Sequence, residues 1–369
     1  MPLVSINTKL GACLPTGKPP LFDLKATAVN TKAKIRNMYF FILMRFGKLL
    51  FGFKCNTKFK IIKNIDMYYN KSIFALLEMS REFILFYLSI AIYSVCILYE
   101  LYINHKQRMH NYILAESIMS GWFALAGFIC DLIIKGFVLG LFYWANLHAI
   151  LQPELLKTNP ILAWGIVFVA QDFCFYWLHR TEHYSRFFWA VHSNHHSAEK
   201  YNFTVALRSS VFQPFYRFLF YLPIAFLGFD YMTIMFMYAI NQMYQFFLHT
   251  EIVGRLPAWY EAIFVTPSHH RVHHASNIKY LDKNMGQVLI LWDKLFGTFQ
   301  VEQETPVYGL TTPLNTTNPI KAIVSEHLKI VNDLRKPSSL STKFNYLFKA
   351  PGWSHDGSTK TSDELRKGL

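Results

Sequence analysis

Acidic residues are scarce in this sequence: 23 Asp and Glu stand against 37 Lys and Arg in 369 residues, and only 16% of the residues are charged. A soluble domain of this length usually carries about 25% charged residues, so an ordinary water-exposed surface is excluded. No Cys-x-x-Cys pair is present. The five cysteines, Cys13, Cys55, Cys96, Cys130 and Cys174, are scattered, three of them in apolar stretches, and they read as core residues rather than a disulfide frame or a thiolate site. The N-terminus lacks a compact charged, apolar and small-residue signal pattern, and no internal repeat is evident. The formal charge of +14 comes without any nucleic-acid module, and +10 of it falls in residues 1–80, where thirteen Lys and Arg face Asp23, Asp66 and Glu78. Basic residues flanking apolar spans set membrane topology or attract anionic headgroups.

What the chain has in abundance is hydrophobic (52%) and aromatic (17%) side chains. A crossing takes roughly 20 apolar residues, and Phe83–Ile103, Gly121–Ala145 and Ile161–Leu178 each approach that length. Asp131 and Lys135 interrupt the second stretch, four apart on one helical face, where they would pair inward. Val211–His249, broken by Pro223, Gly228 and Asp230, has the length of a helical hairpin that crosses and returns. Asn37–Phe53 carries Arg45 and Lys48 and reads as an interfacial helix. From Thr250 onward the chain is mostly aqueous. The expected organisation is a basic extension over 1–80, a membrane domain over 81–305 and a polar tail over 306–369.

Ten of the fifteen histidines fall between residues 179 and 274. His179 and His183 form H-x-x-x-H, His192, His195 and His196 form H-x-x-H-H, and His270, His273 and His274 repeat it; His249 lies between the groups and His269 just before the last. Spacings of three and four put imidazoles on one helical face. The hairpin brings the chain back to the side it left, so all groups meet at one membrane boundary. Imidazole suits iron, zinc, copper and nickel. A zinc site typically uses four ligands, so this many histidines point to two metals. His105, His110, His148, His327 and His355 lie outside the pattern.

The run W-L-H-R-T-E-H, then V-H-S-N-H-H-S-A-E, F-L-H-T-E, T-P-S-H-H-R-V-H-H and L-D-K-N-M-G-Q-V-L-I-L-W-D-K-L-F-G-T-F resembles the fatty acid hydroxylase and sterol desaturase superfamily, and within it the alkylglycerol monooxygenases. The resemblance is carried by about Asp172 to Phe299. It implies an all-α integral-membrane helical bundle with a cytosolic histidine-rich di-iron cap. The implied ligands are His179, His183, His192, His195, His196, His270, His273 and His274, with His249 an additional one. The implied reaction is hydroxylation of a lipid C–H bond with dioxygen, in that branch at the ether carbon of a glyceryl ether, with tetrahydrobiopterin or another electron donor such as a cytochrome b5/reductase-like protein. One departure is that Tyr184, not an acidic residue, follows the second histidine, while Glu182 precedes it.

Alternative outcomes in the same superfamily are sterol desaturation or C-methyl oxidation and fatty acid hydroxylation in lipid biosynthesis. From other classes, the rivals are a zinc-dependent membrane hydrolase and a non-catalytic scaffold; no nucleic-acid partner is expected. Asp172, Glu199, Asn202, Arg208, Glu251, Asp282 and Asn284 are candidates to orient imidazoles. Asn241, Gln242, Tyr244 and Gln245 form a polar run in an apolar span and are expected to face a cavity, with Phe246 and Phe247 as core. Thr250, Glu251, Thr266, Pro267 and Ser268 are expected against a lipid headgroup. The multi-pass chain would lie in the endoplasmic reticulum of a eukaryote or the cytoplasmic membrane of a bacterium, with its histidines on the cytoplasmic side. Three crossings before His179 would then set the basic N-terminal region opposite, so Gly121–Ala145 is expected not to cross as one ordinary span.

Overall fold

A computed structural model describes residues 65–151 and 155–368. The expected interfacial helix Asn37–Phe53 lies outside the described residues. Helix α1 (Ile65–Gln107) takes in residues on both sides of the expected boundary at 80, and its apolar part, Ile84–Gln107, is followed by α2 (Leu114–Leu147) and α3 (Pro160–Tyr184). These three helices are long and apolar enough to cross a membrane. Only 6% and 17% of the apolar windows of α1 and α2 are buried within the protein, so their outward Leu, Ile and Phe side chains have lipid as the matching solvent. Among the described residues there is no strand beyond two isolated bridges, and the molecule is a membrane helical bundle.

Helix α2 is unbroken over 34 residues, about 51 Å at ~1.5 Å per residue, against a hydrocarbon core of about 30 Å. The expectation that Gly121–Ala145 falls short of an ordinary crossing therefore has no kink to support it. Nor does Asp131 pair with Lys135: its partner is Arg217, at 2.5 Å. A long-range partner from another helix wins because it neutralises the carboxylate at the helix contact rather than along the lipid-facing surface.

The hairpin expected within Val211–His249 forms as α5 (Pro214–Phe226) and α6 (Tyr231–Phe246), joined through Gly228 at φ 94° and capped by Asp230, whose carboxylate accepts from the Thr233 N–H and hydroxyl. Its arms have 13 and 16 residues, about 20 and 24 Å, so each is shorter than a full crossing. Here the apolar run overstated the span, because Val211, Phe212, Leu227, Phe229, Phe247 and Leu248, which lie outside the helices, are apolar too. The main core lies where α2, α3, α5 and α6 meet, around Phe142, Val167, Leu178, Tyr221, Ile224 and Ile234.

Beyond α3 the chain folds over one end of this bundle. Helix α4 (Arg186–His192) follows Ser185 directly, and two 3₁₀ turns, His195–Ser197 and Phe203–Leu207, lead back to the hairpin. Helix α7 (Pro267–His274), the loop 281–290 and α8 (Leu291–Phe296) complete the cap. The polar tail is structured as α9 (Pro319–Arg335) and α10 (Leu340–Phe348), which bury Ile323, Ile330 and Tyr346. Cys96, Cys130 and Cys174, expected in the core, are free thiols that are only partly buried.

Candidate metal centre

Nine buried histidines meet at the junction of bundle and cap. His179, His183, His192, His196 and His273 form one group and His195, His249, His270 and His274 a second; within each, ligand atoms all lie within 4.8 Å of one another. Local structure explains the gathering. His179 and His183 occupy the last turns of α3, and α7 presents His270, His273 and His274 from a helix opened by Pro267. His269 stays outside both groups: its Nδ1 accepts the Thr266 N–H at 3.3 Å and so caps α7.

Six of the nine rings are fixed from behind. The Nδ1 atoms of His179, His195, His249 and His273 donate to the carbonyls of Met285, Arg208, Gln245 and Lys283, at 2.8, 3.0, 2.9 and 2.9 Å. His183 Nδ1 pairs with Asp282 at 3.1 Å, and His192 Nδ1 lies 3.1 Å from Ser210 Oγ and 3.3 Å from Glu182 Oε2. A carbonyl only accepts, so each Nδ1 facing one carries the proton and its Nε2 presents a bare lone pair. Burial keeps six of these rings neutral: it pushes His195 down to about 4 and His192, His196, His270, His273 and His274 well below the usual imidazole range, aided by the neighbouring imidazoles.

Those lone pairs face one another. The Nε2 atoms of His195 and His249 are 3.4 Å apart, acceptor against acceptor, and those of His179 and His192 are 3.1 Å apart. The Nε2 atoms of His183, His273 and His274 are buried without a hydrogen-bond partner. Neutral acceptors converging in a buried space repel unless a cation lies between them. The donor set therefore fits metal ions, and imidazole suits iron among them.

The loop 281–290 is the main instrument of this arrangement. Asp282 and Asn284 take left-handed φ values of 54° and 56°, which turns the Asp282 carboxylate and the Lys283 and Met285 carbonyls toward three rings of the five-histidine group. Asp293, buried and pushed up to about 6 by that burial, accepts from the Met285 and Gly286 N–H groups. A side chain at Gly286 would meet the Leu289 carbonyl at 2.7 Å. Asp172 accepts from Val288 N, Leu289 N and Trp292 Nε1, at 2.9, 3.1 and 2.9 Å.

Of the seven polar residues expected to orient imidazoles, Asp282 does so with its side chain and Arg208 through its carbonyl, while Asp172 acts through the loop. The others bond elsewhere: Glu251 accepts from Tyr308, Asn202 caps a 3₁₀ turn at Thr204, the Asn284 amide donates to the His269 carbonyl, and the Glu199 N–H donates to Glu116. Thr250, Thr266 and Ser268, expected against a headgroup, are buried with their hydroxyls donating to Glu100 or Glu261, so they serve the fold. Glu100 and Asp293 escaped sequence reasoning, each a lone carboxylate in an apolar or basic context, and Glu182 stands out in the sequence only by its place before His183. Glu182 accepts from Tyr216 and Gln213 as well as facing His192.

Two cavities reach the histidines from opposite sides. One of about 230 Å³ opens among α1, α3 and α6, where Tyr93, Phe175 and Phe246 meet His179, His192, His195 and His249. The other, about 480 Å³, lies under the cap, with His183, His196, His273 and His274 on one side and Tyr346, Trp353 and Thr359 of the tail on the other.

Residues 164–298 match the model of the fatty acid hydroxylase family. All nine grouped histidines lie within that match. The chain is 44% identical over 191 residues to alkylglycerol monooxygenase of Homo sapiens, covering 52% of this chain and 42% of that protein. To alkylglycerol monooxygenase of Xenopus tropicalis it is 40% identical over 216 residues, 58% of this chain and 46% of the relative. A Delta(7)-sterol 5(6)-desaturase of Aspergillus fumigatus is 25% identical over 171 residues, 44% of each chain. The chain thus spans less than half the length of these relatives. No solved structure matches it.

Removing a partner behind a ring tests the arrangement at modest cost. Asp282→Ala should weaken metal binding by about 10–100-fold while the protein stays folded, because His183 loses the group that fixes its ring. Competition with a graded chelator measures this; unchanged affinity would show that the Asp282 contact is incidental.

Proposed function

We propose that this chain is an iron-dependent membrane oxidoreductase that inserts one oxygen atom of dioxygen into a lipid C–H bond, with a glyceryl ether as substrate. The observation that carries the reading is the pair of adjacent histidine groups whose buried Nε2 lone pairs converge. Nine imidazoles exceed what one zinc ion takes, which weighs against a hydrolase with a single zinc. A scaffold would have no use for six rings held from behind by carbonyls, a carboxylate or a hydroxyl. Two iron ions held by these groups would supply the redox chemistry that no side chain can.

The protein's own part is to bind, orient and keep water out. An alkyl chain would enter from the bilayer into the cavity among α1, α3 and α6, where Phe175 and Phe246 exclude water beside the histidines. In the balanced reaction one oxygen atom enters the C–H bond and the other leaves as water, taking two electrons and two protons from a reductant. Hydroxylation next to an ether oxygen gives a hemiacetal, which breaks into a fatty aldehyde and a glycerol lipid. We assign the reductant to the opposite side, through the cavity under the cap, as tetrahydrobiopterin or an electron-transfer protein of the cytochrome b5 type. The membrane is that of the endoplasmic reticulum in a eukaryote or the cytoplasmic membrane in a bacterium, with the cap facing the cytoplasm.

The test is to give membranes containing the protein a long-chain alkylglycerol under air, with and without tetrahydrobiopterin. Pterin-dependent fatty aldehyde is the expected product. A new hydroxyl or double bond in a sterol or acyl lipid, with no aldehyde, would reject the ether substrate.

A further inference from the structure

Gln242 and Gln245, three apart on α6, line the smaller cavity beside four of the histidines. They belong to the polar run whose presence in an apolar helix invites an explanation. Gln287, from the loop 281–290, donates its Nε2 to both of their Oε1 atoms, at 2.5 and 3.1 Å. This fixes the two side chains by their acceptor ends. Among the described residues, no hydrogen bond uses the amide N–H₂ group of either. Gln245 is also tied to the centre itself, since its backbone carbonyl accepts the His249 Nδ1–H.

Donors with no partner, set in a cavity walled by Phe175 and Phe246, are the wrong lining for a plain hydrocarbon. A saturated chain in that space would strip water from the amides and return nothing, a penalty that disfavours it. A chain carrying an acceptor oxygen would satisfy them. At about 230 Å³ the cavity is small, so an oxygen held by the glutamines lies close to the histidines, and the carbon next to it is the one presented for reaction.

We propose that Gln242 and Gln245 are positioning residues that bind an ether or ester oxygen of the substrate and so determine both which lipids are accepted and which C–H bond is oxidised. The proposal rests on the lipid-oxidising reading above and names the chemical feature that reading selects. Gln287 serves it by holding both amides in register.

The experiment compares a long-chain 1-O-alkylglycerol with its carba analogue, in which methylene replaces the ether oxygen, using the full-length iron-loaded protein in membranes. Wild type should favour the ether by about tenfold in kcat/KM and oxidise a single carbon, a ratio set by one satisfied hydrogen-bonding group. Gln242→Met combined with Gln245→Met should erase the preference, mainly through KM, and spread the new oxygen over neighbouring carbons. Iron content should not change. Gln242→Met alone, which leaves the Gln245–His249 contact untouched, should show the same direction, and Gln242→Asn should recover part of the preference. Retention of both the preference and the single product position in variants with full iron would overturn the proposal. Wild type that oxidises neither compound would overturn the lipid-oxidising reading beneath it instead.

Discussion

His195→Ala should lower bound iron from about two ions per chain to about one or fewer and reduce turnover by at least roughly a thousandfold, while the protein still inserts in the membrane. His195 is one of the rings through which the two histidine groups touch: it packs against His192 and His196 of the first group and against His249 and His274 of the second. Its Nε2 faces that of His249, and its Nδ1 is held by the Arg208 carbonyl. Removing it opens the smaller group to three imidazoles and leaves a void beside the larger one. Metal analysis and product formation on membranes with matched expression decide the matter. Full iron and full turnover in this variant would sink the assignment.

Asp172→Ala should have the second-largest effect, through a route that never touches a ring. The carboxylate is fully buried and is the acceptor for Val288 N, Leu289 N and Trp292 Nε1. Each donor left buried without a partner costs about 1–3 kcal/mol, so the change removes several kcal/mol from a stability of ordinarily about 5–15 kcal/mol. The loop 281–290 then loses the register that aims Met285, Lys283 and Asp282 at His179, His273 and His183. Both the unfolding midpoint and the metal content should fall. Asp172→Asn keeps one acceptor and should fall less. An alanine variant with normal thermal stability would show that the loop is held by other means.

The histidines were legible because spacing puts them on common faces: the three box patterns name eight of the nine residues that the fold brings together, and His249, which lies between the boxes, is the ninth. His269 shows the limit of that argument: it is adjacent to the third box yet turns back to cap α7, a choice made by the Thr266 N–H and not by helical period. The carboxylates behind the site were mostly illegible. Asp172 and Asp293 act on the same loop across 121 residues of sequence, and only the closed cap reveals that both hold it. The membrane bundle was legible in outline from apolar length, whereas the pairing of Asp131 with Arg217 rather than its helical neighbour depends on how α2 and α5 meet. The tail reads only as polar in the sequence. Ala322, Ile323 and Ile330 fall on one face of α9, and burial of that face brings Tyr346 and Trp353 to the rim of the cap-side cavity.

The most direct test of the account is a count of iron in the purified full-length protein after anaerobic loading with ferrous iron and removal of excess metal. Two histidine groups with converging lone pairs predict about two irons per chain, bound tightly enough to survive gel filtration. One iron per chain, or none in protein that retains its fold, would contradict the two-metal centre on which the proposed chemistry depends.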